Sequence, residues 1–147
     1  MEAPNDWLKR VGRWLFPVKM KEAVEPPERR VIIFSVHPAF GMDVGGILEG
    51  RGFEVRCPLD YAAVSVCFGD SWSDPDLVLV NAGARADDWT PLGVIEWVRD
   101  KHGYKGPIIG CAVVRKVQEE MKEAGATETC PPNRWAEAVF PRLKLPA

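Results

Sequence analysis

Apolar runs of strand length alternate along this chain with stretches whose apolar residues recur at helical spacing. RVIIFSV (30–36) is a β-branched run, and FGMDVGGILEGRG (40–52) follows with Val44, Ile47 and Leu48 on one helical face, stopped by Gly50 and Gly52. FEVRCPL (53–59) alternates as a second strand; DYAAVSVCFGD (60–70) is a short apolar helix or irregular piece, and SDPD marks a turn. LVLVNAG (77–83) is apolar almost throughout, as expected of a strand covered on both faces. TPLGVIEWVRDKHG (90–103) opens on an N-capping Thr90 and a helix-starting Pro91, and carries a Leu92, Ile95, Val98 stripe. GPIIGCAV (106–113) is a fourth strand, VRKVQEEMKEAG (114–125) a helix closed by Gly125, ATETC (126–130) a weaker fifth strand and NRWAEAVFPRL (133–143) a closing helix.

Five strands alternating with helices predict a parallel, doubly wound α/β sheet with helices on both faces, because parallel neighbours need crossover connections. The order expected for five strands is 2-1-3-4-5, the flavodoxin-like arrangement, with ligands gathering beyond the C-terminal strand ends. Here those ends carry Ser35, Val36, His37, Asn81, Ala82, Ala112 and Cys130.

A chain of 147 residues fits one domain, divided here into an N-terminal arm (1–29) and a body (30–147). The net charge of −2 gives no general pull toward nucleic acid or anionic membrane, although residues 1–30 carry +2 and the remainder −4. Cys57, Cys67, Cys111 and Cys130 lie far apart without a CxxC, which argues against a zinc ribbon or a disulfide framework and for reduced thiols in a cytoplasmic protein. No stretch approaches the ~20 apolar residues of a membrane span. Lys9, Arg10 and Arg13 interrupt the N-terminus where a signal peptide would be apolar.

From Arg30 to about Leu143 the chain resembles the receiver (CheY-like) domain of two-component response regulators. VHPAFGMDVGGILEGRGFEV is similar to receivers that precede a LuxR-type DNA-binding domain, whose first strand ends Asp-Asp-His-Pro. PDLVLVN resembles the third strand that delivers the phosphorylated aspartate, GPIIGCA the fourth, ending in Thr or Ser, and GA…CP the fifth, ending Lys-Pro. The resemblance implies the fold, but the family's active residues are replaced. Ser35 and Val36 stand at the acidic pair, Asn81 at the phosphoacceptor and Ala112 at the Thr/Ser position. The Lys-Pro position is Cys130-Pro131 or Pro131-Pro132, depending on the gap, and neither supplies a lysine. An amide cannot form the acyl phosphate, and Mg²⁺ prefers carboxylate oxygens that this set does not offer. The expectation is a pseudo-receiver with a degenerate phosphorylation pocket at Ser35, Val36, Asn81, Ala112 and Cys130, Val36 filling the vacated space, and no metal, cofactor or catalytic residue.

Other residues carry weaker signals. His37 is expected as a loop residue capping the next helix. It also keeps open a small-molecule alternative, since cobalamin-binding domains of the same topology place a ligating His in a similar loop; here SVHPAFG departs from their motif by Ser35 and by one extra residue before Gly41. Cys111 and Cys130 end adjacent strands, but alternation turns Cys111 toward a helix if Ala112 faces the pocket, which works against a redox pair. Asp43, Asp87 and Asp88 read as solvated loop or cap charges, and GMDVGG lacks the order of a phosphate-binding loop.

NDWLKRVGRWLF (5–16) gathers Trp7, Leu8, Val11, Trp14 and Leu15 on one helical face with Lys9, Arg10 and Arg13 largely opposite, and FPVKMKEAVEPPERR reads as a proline-stiffened linker. Such an amphipathic helix suits packing on its own domain, a protein partner or, weakly, a membrane surface. In receivers the partner face is the fourth and fifth strands and helices, here 106–143, where Trp135 and Phe140 are either anchors or core. The function expected is protein–protein interaction, as an adaptor, regulator or accessory subunit, with a homodimer compatible, no nucleic-acid partner, and no output domain after Ala147.

Overall fold

The computed structural model describes residues 29–69, 72, 74–85 and 90–146. Five parallel strands form one sheet: β1 (Arg30–Ser35), β2 (Glu54–Arg56), β3 (Leu77–Gly83), β4 (Ile108–Ala112) and β5 (Glu128–Cys130), in the order β2-β1-β3-β4-β5. The connections are helices α1 (Pro38–Glu49), α2 (Tyr61–Gly69), α3 (Thr90–Asp100) and α4 (Arg115–Ala124); a 3₁₀ turn (Pro132–Arg134) leads into the final helix α5 (Trp135–Arg142). This is the CheY-like flavodoxin fold. Val31–Phe34, all of β3 and all of β4 are buried, as continuous apolar strands covered on both faces should be.

Alternation along the strands sorts the core into two layers. Ile32, Phe34, Val78, Val80, Ile108 and Ala112 meet the α2, α3 and α4 side, through residues such as Val64, Ile95 and Met121. Val31, Ile33, Leu77, Leu79, Ile109 and Cys111 meet the α1 and α5 side, through Val44, Leu48, Ala138 and Val139. Helix α1 approaches the sheet closely because Gly41 and Gly45 face it; a Cβ on Gly45 would sit 3.3 Å from Val55. At the N-terminal strand edge the Arg99 guanidinium donates to the carbonyls of Tyr104, Gly106 and Gly125 and to Thr127 Oγ1, joining α3 to the starts of β4 and β5. Among the described residues no helix is long and apolar enough to cross a membrane.

Candidate functional site at the strand ends

Register brings four side chains into one row across the C-terminal end of the sheet. Ser35 pairs with Asn81, Asn81 with Cys111, and Cys111 with Cys130. All four share the α1/α5 face, Ser35 by alternation from Ile33 and Asn81 from Leu79. Of the residues expected at the pocket, Ser35, Asn81 and Cys130 belong to this row, while Val36 and Ala112 do not. Val36 packs on the opposite layer and Ala112 is buried within it. Val36 therefore does not fill the space beside Ser35. Cys111 stands opposite Asn81 because β3 and β4 keep a regular register from Val78 to Asn81; the one-residue bulge comes only beyond it, so that Gly83, not Ala82, pairs with Ala112.

The Ser35–Asn81 half of the row is closed by hydrogen bonds. Asn81 Nδ2 donates to Ser35 Oγ at 3.0 Å, and the His37 amide donates to the same oxygen at 3.0 Å. The Ser35 hydroxyl donates in turn to the His37 carbonyl at 2.8 Å, which engages its one proton and both lone pairs. Asn81 Oδ1 accepts from the Gly83 amide at 3.0 Å. Ser35 is 8% exposed and Asn81 1%, so Ser35 Oγ has no lone pair left for an ion and Asn81 Oδ1, already bonded to Gly83, is buried. Gly83 is in the left-handed region (φ 61°), and the His37 ring lies where its Cβ would be. His37 occupies the N-cap position of α1, but its side chain makes no capping bond; the expected cap is positional only. Asp43 is exposed on α1, and Asp87 and Asp88 lie outside the described residues.

The other half is two thiols. Cys111 Sγ stands 3.7 Å from Cys130 Sγ, Cys111 being fully buried and Cys130 half-buried. The hydrogen bond between them pushes the Cys111 thiol well above its ordinary range, and burial adds to this. The same bond draws Cys130 down, against burial and the carboxylates of Glu128 and Glu137. Alternation does turn Cys111 toward a helix, as expected, but it turns Cys130 the same way.

A second polar cluster lies between α2 and α3. Trp97 Nε1 donates to Ser65 Oγ at 2.9 Å and to His102 Nε2 at 3.1 Å, and Phe68 stacks on the His102 ring at 4.9 Å. Burial, with Lys101 nearby, lowers the His102 titration. Ser65 Oγ also stands 3.3 Å from His102 Nε2, and because the indole N–H donates to both, Nε2 is the unprotonated ring nitrogen and can accept from the Ser65 hydroxyl as well. The depression beside it is lined by Tyr61, Gly93, Glu96, Trp97, Asp100 and Lys101; two others are lined around Glu128 and Pro141 and around Cys57 and Val66. None of the three is lined by Ser35 or Asn81. Among the described residues no group of three His, Cys, Asp or Glu side chains could hold a metal.

Trp135 is half-buried on α5 and meets Phe140 edge to face, with ring centres 5.6 Å apart. Trp72 is buried, with the Arg56 guanidinium 4.3 Å above its ring. Trp7, Leu8, Val11, Trp14 and Leu15 lie outside the described residues.

No family model matches the chain, and no curated relative does. Solved structures do. A CheY-like response regulator receiver domain protein from Methanospirillum hungatei is 16% identical, with 80% of this chain and 95% of that one covered at a TM-score of 0.63. A response regulator from Thermotoga maritima gives the same identity and score, with 80% and 99% covered. NtrX from Brucella abortus is also 16% identical at 0.63, and there 80% of this chain spans only 26% of the other. These structural neighbours are receiver domains, and at such identities the likeness is one of fold.

Proposed function

We propose that this chain is a pseudo-receiver: a receiver fold whose phosphorylation site is replaced by a closed polar latch, kept as a protein–protein interaction module. The observation that carries the reading is the Ser35–Asn81 latch, in which every polar atom is satisfied within the protein. Phosphoryl transfer would need a carboxylate nucleophile at Asn81, acidic oxygens for Mg²⁺ at Ser35 and Val36, and a cation for the phosphoryl group near Cys130. None of these side chains supplies one. Receiver domains are generally signalling modules rather than enzymes and commonly act through protein contacts, which supports an adaptor or accessory role. The partner contacts we assign are the amphipathic stretch 5–16, through Trp7, Leu8, Val11, Trp14 and Leu15, and the 106–143 face that includes Trp135.

The test is to incubate the full chain with acetyl phosphate, and separately with beryllofluoride, in the presence of Mg²⁺. Unchanged intact mass and no saturable beryllofluoride binding are expected. Stoichiometric modification would overturn the reading. Co-purification from the native source, with and without residues 1–25, tests the interaction role; retention of the same partner by both forms would remove the arm from the interface.

A further inference from the structure

The two thiols at the far end of the row are placed for a chemistry that the latch does not share. β4 and β5 are parallel neighbours with Cys111 and Cys130 in direct register. Register partners in adjacent strands stand about 5 Å apart at Cα, inside the window of roughly 4.4–6.8 Å in which a disulfide closes. Both side chains turn to the same face, with the sulfurs already 3.7 Å apart. The remaining approach, on the order of 1.6 Å to reach a bond near 2.05 Å, is within the reach of side-chain rotation. The other cysteines do not compete. Cys67 is buried in the opposite layer, and Cys57 follows β2 at the other edge of the sheet, 3.7 Å from the Gly41 carbonyl.

We propose that Cys111 and Cys130 form a dithiol modification site that a small hydroperoxide oxidises to an intramolecular disulfide joining β4 to β5. Half-buried Cys130 is the entry point and fully buried Cys111 resolves it. The Cys130 thiolate attacks the terminal oxygen of the hydroperoxide; the O–O bond breaks, leaving a sulfenic acid on Cys130 and an alkoxide, or hydroxide from hydrogen peroxide, which takes a proton from solvent to leave as alcohol or water. Cys111 sulfur then attacks the Cys130 sulfur, the S–O bond breaks, and the hydroxide leaves as water with the Cys111 proton. Two thiols are oxidised by two electrons and one O–O bond is reduced. The lowered Cys130 titration agrees with its role as the first nucleophile, while the raised Cys111 titration makes the resolving attack the slower step. The crosslink would also brace the α4 and α5 side, which belongs to the proposed partner face at 106–143; that consequence alone rests on the pseudo-receiver reading.

The experiment treats the reduced, folded full chain with stoichiometric hydrogen peroxide, alkylates it with N-ethylmaleimide in denaturant, and maps it by mass spectrometry. The result expected is loss of two hydrogen atoms from the intact mass, alkylation confined to Cys57 and Cys67, a linked Cys111–Cys130 peptide, and full reversal by dithiothreitol. In Cys111→Ala the sulfenic acid on Cys130 persists and is captured by dimedone. The proposal is overturned if all four cysteines are still alkylated, if Cys130 passes to sulfinic acid while Cys111 stays free, or if the link involves Cys57 or Cys67. The wild-type map is decisive by itself, whether or not the variant folds.

Discussion

The row at the C-terminal ends of β1, β3, β4 and β5 changes character halfway across the sheet. On the β1–β3 side, Ser35 and Asn81 direct their hydrogen-bonding capacity to each other, to His37 and to Gly83. On the β4–β5 side, Cys111 and Cys130 share one weak contact of 3.7 Å and have little else to bond. The same fold edge thus holds a hydrogen-bonded polar pair in one half and two facing thiols in the other. The difference lies in the side chains: a buried hydroxyl and amide cost free energy unless fully paired, whereas a buried thiol behaves as a small hydrophobe and tolerates weak pairing. Saturation makes the first half a structural lock, and the lack of it leaves the second half reactive.

The largest effect is expected from breaking the lock with charge. Asn81→Asp removes the donor to Ser35 and places a carboxylate in a buried site, and should cost about 3 kcal/mol in urea unfolding. The loss should be greater at about pH 8 than at about pH 5, because only the ionised form incurs the full burial penalty. The variant should also remain unphosphorylated by acetyl phosphate with Mg²⁺, since one carboxylate does not rebuild an ion site; phosphorylation would show that the latch alone had silenced it. Next comes Gly83→Ala, which strains a positive φ and displaces the His37 ring, for about 2 kcal/mol. Ser35→Ala leaves Asn81 Nδ2 and the His37 amide without their shared acceptor and should cost about 1.5 kcal/mol.

The smallest stability effect belongs to the thiol half: Cys130→Ser should stay within about 0.5 kcal/mol of wild type. The comparison there is sharpened by reactivity instead. Burial, with Glu49 and Cys67 adding repulsion, raises the Cys57 titration, while the bond from Cys111 lowers that of Cys130. A lowered thiol titration means more thiolate at neutral pH, so iodoacetamide should label half-buried Cys130 ahead of exposed Cys57, and Cys111→Ala should slow the Cys130 reaction. Faster labelling of Cys57 would show that exposure, not the thiol pair, governs reactivity.

Much of this arrangement is legible in the chain itself. Apolar runs mark β1, β3 and β4, while β2 and β5 show only shorter, half-polar strands. The stripe of Leu92, Ile95 and Val98 and the closing Gly125 mark their helices, because burial on two faces and helical amphipathicity leave a pattern along the sequence. Ser35 and Asn81 were placeable at the site for the same reason. The β3 bulge was not, since a one-residue slip leaves no trace in composition; it sets Gly83, not Ala82, beside Ala112. Equally hidden were Arg99, whose carbonyl partners come from two separate segments, 104–106 and 125, and the Ser65–Trp97–His102 cluster, in which Ser65 lies 32 residues from Trp97. Contacts of that kind are made by the fold after it forms.

The lock is tested most directly by heteronuclear NMR of the Asn81 side-chain amide and the Gly83 backbone amide during a Mg²⁺ titration. Both resonances should stay in place as the salt is raised, with the amide protons slow to exchange, as expected of donors already bonded to Ser35 and Asn81 oxygens. Saturable shifts centred on Ser35 and Asn81 would mean that an ion enters between them, and would contradict the account.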